Sequence, residues 1–60
     1  MIDTEYARAN LADARARYMA ASARYESAKT KWAKREAAED MEFHGNRAAY
    51  LNVALNRTAA

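Results

Sequence analysis

An all-α fold, with two helices forming a hairpin, is the class that this 60-residue sequence predicts. Three observations predict it. Proline is absent and the single glycine is Gly45, so the chain carries few conventional breaks. Alanine, Arg, Lys and Glu, all strong helix formers, dominate the residues before that glycine. Finally, the stretch RANLADA, RARYMAA, SARYESA, KTKWAKR repeats in sevens, with Leu11, Tyr18, Tyr25 and Trp32 at one position and Ala14, Ala21 and Ala28 three residues later. Period seven at a three-four spacing is the pattern of a packed helical seam.

Taken in chain order, the first helix is expected over about residues 4–43. Asp3 or Thr4 can cap it, and Asp3 and Glu5 place negative charge at its positive end. Ile2 can pack back on Ala7 as a hydrophobic staple. A turn is expected at residues 44–46, where Gly45 can end one helix and Asn46 can cap the next. There His44 suits the terminus of the first helix as a capping cation. The second helix then covers about residues 47–58, with Arg47, Tyr50, Leu51, Ala54, Leu55 and Thr58 on one face. Tyr50, Leu51 and Leu55 are its expected packing residues, with Leu51 and Leu55 holding it against the region of Ala37 and Met41.

Helices so unequal leave the Leu11, Tyr18 and Tyr25 stripe uncovered within one chain, and this suggests association as a coiled coil or helical bundle. Alanine at alternate seam positions permits close approach of a facing helix. The expected interaction seam is therefore Leu11, Ala14, Tyr18, Ala21, Tyr25, Ala28 and Trp32.

Charge constrains what can face that seam. Residues 8–35 carry eight Lys/Arg against Asp13 and Glu26, whereas residues 36–42 carry Glu36, Glu39, Asp40 and Glu42 with no base. Basic flanks that include Arg15, Arg17, Arg24 and Lys31 would repel each other in a parallel in-register pair. The seam also ends at Arg35. An antiparallel or offset second copy, or an acidic protein surface, would supply the complementary charge. Nucleic acid is the alternative partner, since Arg and Lys interleaved with aromatics can contact phosphates and stack on bases. The aromatics coincide with the alanine seam, however, and base stacking does not require that coincidence. A membrane surface would demand a stronger apolar face than alanine offers.

Catalytic chemistry is poorly provided for. The chain has no cysteine and one histidine, His44, and it contains no nucleophile elbow or P-loop. Asp40 and His44 lie four apart, but Met41 occupies the position where a Glu-x-x-His metal motif needs glutamate. Glu36 with Asp40, or Glu39 with Glu42, has a spacing common on any solvated helix. No cofactor, metal or small-molecule substrate is expected. The N-terminal MIDTEYARAN lacks the basic start and apolar core of a signal peptide, and no apolar run approaches the ~20 residues of a membrane span. A cytoplasmic protein, or a virion component, is expected. Size and motif content suit a non-enzymatic phage or mobile-element accessory protein, acting as inhibitor, adaptor or assembly component.

Overall fold

The computed structural model describes residues 3–59, with side chains through Arg57. It is an all-α hairpin of two antiparallel helices, α1 (Thr4–Ser27) and α2 (Lys31–Ala59). The fold class is as the sequence predicts; the position of the turn is not. The chain reverses at residues 28–30, and Gly45 lies inside α2 rather than between helices.

Both helix starts are capped by side chains. The Asp3 carboxylate accepts from the Tyr6 backbone N–H at 3.1 Å, and Glu5 lies in the first turn. At the second start, the Thr30 hydroxyl accepts from the Ala33 N–H at 3.1 Å, and the Thr30 carbonyl accepts from Lys34 N–H at 3.1 Å. Between them Ala28 is extended, with φ −67° and ψ 134°, which breaks the helical run without glycine or proline. The Lys34 ammonium folds back over this corner. It sits 4.7 Å from the Tyr25 ring centroid and 3.4 Å from the Tyr25 carbonyl oxygen. The expected packing of Ile2 on Ala7 lies outside the described residues.

One face of α1 packs against α2 of the same chain. Ala7, Leu11, Ala14 and Ala21 are buried, while Tyr18 and Tyr25 lie across the joint half-exposed. On α2 the less exposed positions are Ala37, Met41, His44, Ala48, Leu51 and Leu55, again at three-four spacing. Helices of 24 and 29 residues match in length, so the stripe expected to stay uncovered is covered within one chain. A turn at 44–46 would have left most of it in water. Helix α2 therefore continues through Gly45 at a propensity cost of ~1 kcal/mol.

That glycine is useful in its place. A Cβ on Gly45 would lie 3.3 Å from Tyr18 Cε2 and 3.4 Å from Cδ2, so the missing side chain leaves the space that the Tyr18 ring fills. Among the described residues, the buried set contains only alanines and Leu11, and no large side chain is fully enclosed. This is a thin core, one interface deep.

Candidate interaction surface

Two flanks and two outer faces surround the seam. One flank is polar and internally satisfied. Asp13 accepts from Arg17 Nε one turn away, at 3.0 and 3.1 Å to its two oxygens. It also accepts from Arg47 Nη1 across the hairpin at 3.1 Å. The other Arg47 nitrogen, Nη2, donates to Asn10 Oδ1, and Asn10 donates to the Tyr6 carbonyl at 2.9 Å. Farther toward the turn, Arg24 pairs with Asp40. Hydrogen bonds from Arg47, and then from Arg17, hold the Asp13 carboxyl below its ordinary value of 3.8, outweighing the partial desolvation that pushes it up.

The charge complementarity expected between copies is thus partly met inside one chain. The acidic segment does reach the basic flank, because the hairpin lays Asp40 beside Arg24. Glu36, Glu39 and Glu42 remain exposed and form no ion pair among the described residues, and neither do Arg15 and Lys31. On the opposite flank, Arg8 and Arg15 share a groove with Thr4, Leu11, Asn52, Leu55 and Asn56.

Several expected sites move with the turn. Trp32 leaves the seam: it stands in the first turn of α2, mostly exposed, with Lys31 and Arg35 beside it. Its heptad position was right for a continuous helix, but the reversal at 28–30 rotates everything beyond. His44 caps nothing. It lies mid-helix, turned toward α1, with Nδ1 buried and without a hydrogen-bond partner among the described residues. Its ring meets Phe43 edge-on at 5.1 Å. Leu51 and Leu55 do not pack on Ala37 and Met41, which lie on the same helix, and Tyr50, expected to pack with them, is exposed. Leu51 instead shares a groove with Tyr6 and Ala7, and Leu55 with Leu11.

Sequence reading missed the feature that stands out once α2 is in place. Tyr6, Trp32, Phe43 and Tyr50 are 69, 68, 65 and 72% exposed. Phe43 and Tyr50 are seven residues apart, so they stack on one line along α2. Trp32 falls within ~20° of that line, eleven residues before Phe43. Val53 lies alongside, half exposed, and Tyr6 of α1 adjoins Tyr50 over Ala7 and Leu51. The signal was legible as a second set of aromatics at period seven, but only knowing that residue 43 is mid-helix makes them one face.

No described helix is long and apolar enough to cross a membrane. No group of three or more potential metal ligands occurs among the described residues. No protein-family model matches the chain, and no curated protein or solved structure matches it significantly.

Proposed function

We propose that this chain is a non-enzymatic protein-association module, an adaptor or small assembly component that works through the outer aromatic face of α2. The observation that carries this reading is the exposed line of Phe43 and Tyr50, extended by Trp32 and Tyr6. Large aromatics are the most costly apolar groups to leave in water, and the side chains most enriched at interface centres. The chain has seam alanines in abundance and could have closed its fold without them.

Shape supports the same reading. The molecule is a rod of 44 × 14 × 13 Å with an accessible surface of 4844 Å². A compact monomer of 6.8 kDa would expose roughly 3,950 Å². The excess of roughly 900 Å² is close to the ~800 Å² each partner buries in a standard protein–protein interface. Nucleic-acid binding is less well supported, since Arg17, Arg24 and Arg47 are engaged by Asp13 and Asp40 within the hairpin.

Native mass spectrometry of the protein taken gently from producing cells tests the reading. The unaltered chain should be recovered in a stoichiometric complex, and Phe43→Glu with Tyr50→Glu should release it as the free helical hairpin. Recovery of the unaltered chain only as a free 6.8 kDa species would overturn it.

A further inference from the structure

The face of α2 that carries the aromatics has an order of its own. Glu36, Phe43, Tyr50 and Arg57 follow one another at intervals of seven residues, about 10.5 Å per step along the helix. They share one line, turned well away from the Ala37–Met41–His44–Ala48 seam, and all four are exposed. Neither Glu36 nor Arg57 has an ion-pair partner among the described residues. The line reads acid, aromatic, aromatic, base.

Such a string is complementary to itself in one direction only. Laid against an identical helix running the other way, with the two-fold axis between residues 46 and 47, Glu36 opposes Arg57 of the second copy. In the same register Phe43 opposes its Tyr50, and the symmetry repeats both contacts. A parallel in-register pair would instead set Glu36 on Glu36 and Arg57 on Arg57, which is repulsive at both ends. An isologous contact of this kind closes on two copies, as the commonest soluble assemblies do.

We infer that the Glu36–Phe43–Tyr50–Arg57 face of α2 binds a second copy of this chain, antiparallel, to form a two-fold dimer of hairpins. The inference rests on the association reading above and names its partner. The palindromic charge order of the face chooses a second copy, because it complements only an identical helix laid antiparallel. The aromatic pairs form the dry centre and the two Glu36–Arg57 pairs sit at its rim, where charges set orientation more than affinity.

Sedimentation equilibrium on the purified chain, with circular dichroism to verify helicity, tests the arrangement. The unaltered protein should be a dimer, and Phe43→Glu or Tyr50→Glu should yield helical monomers. Glu36→Arg alone and Arg57→Glu alone should each weaken the dimer about tenfold, because like charges then meet at both rims. Glu36→Arg combined with Arg57→Glu should restore it to within about threefold, the order being reversed but still complementary. All of these residues are exposed, so the hairpin itself should survive. A dimer weakened further by the combined exchange, or indifferent to both single changes, would overturn the antiparallel face. A purified chain that stays monomeric at millimolar concentration would overturn self-association. In that case the intact-complex mass from cells still judges the broader reading.

Discussion

Asp13 is the residue on which the two helices are most visibly tied by charge. It takes hydrogen bonds from Arg47 of α2 and Arg17 of α1 at once, and its pKa lies below 3.8 in the folded chain. A carboxyl depressed by folding stabilises the fold at pH values above its unfolded pKa, and that contribution is lost as pH falls through the folded one. Asp13→Asn should therefore lower the melting temperature at neutral pH slightly. The difference from the unaltered chain should close in acid, below the ordinary carboxylate range, in melts followed across pH. Gly45 offers a second test. Replacing it by alanine gains ~1 kcal/mol of helix propensity but crowds the Tyr18 ring at 3.3 Å. Tyr18 is 40% exposed and can swing outward, so Gly45→Ala should stabilise by about half that gain. In a Tyr18→Ala background the full gain should appear, and the coupling is read from a double-mutant cycle. Gly45→Leu should destabilise the protein with the Tyr18 ring in place.

Each helix owes its limits to a few side chains and its position to its apolar stripe. Among the described residues, Thr30 supplies the side-chain cap at the start of α2. Thr30→Ala should cost about 1 kcal/mol, visible as a fall of roughly 4–8 °C in melting temperature for a domain this small. Helix α1 has alanines on both its inner and outer faces, and they are not equivalent. Ala14 is fully buried against α2, so Ala14→Leu should force the helices apart and destabilise by about 1–3 kcal/mol. Ala16 faces solvent, so Ala16→Leu should be nearly neutral, within ~0.5 kcal/mol. Thermal melts of the two variants separate a packing seam from a merely alanine-rich helix.

At the scale of the whole molecule, the hairpin is a single layer with a thin core. Its radius of gyration of 13.7 Å compares with about 10.4 Å for a compact chain of this length. An assembly that buries the Phe43–Tyr50 face would make stability depend on protein concentration, because the associated form binds only folded chains. The melting temperature should rise with concentration for the unaltered chain and become independent of it for Phe43→Glu. Differential scanning calorimetry over a hundredfold concentration range measures both.

The all-helical class, the Asp3 cap and the alanine seam over residues 7–28 were legible in the sequence because they are local: propensity, capping chemistry and period-seven spacing lie within a few turns of one another. The reversal was harder to read. Ala28, Lys29 and Thr30 include neither glycine nor proline, and Gly45 offered the more familiar stop. One trace of the turn does exist in the pattern. Beyond Trp32 the original register ends at Arg35, and the seam resumes two residues out of phase at Ala37, Met41, His44, Ala48, Leu51 and Leu55. A straight helix cannot carry a stripe through a two-residue slip, which rotates it by about 200°; a chain that has turned can. Which turn forms was decided by tertiary packing. Reversal at 28–30 covers the whole Leu11–Tyr25 stripe with a helix of matching length, whereas reversal at 44–46 covers only its end. The same choice turns His44 and Gly45 toward α1, lifts Trp32 out of the seam and aligns Phe43 with Tyr50 on the outside. Local chemistry thus determined that the chain is helical and where its first helix is apolar. Only the pairing of the two helices determined which apolar residues were left over to meet another molecule.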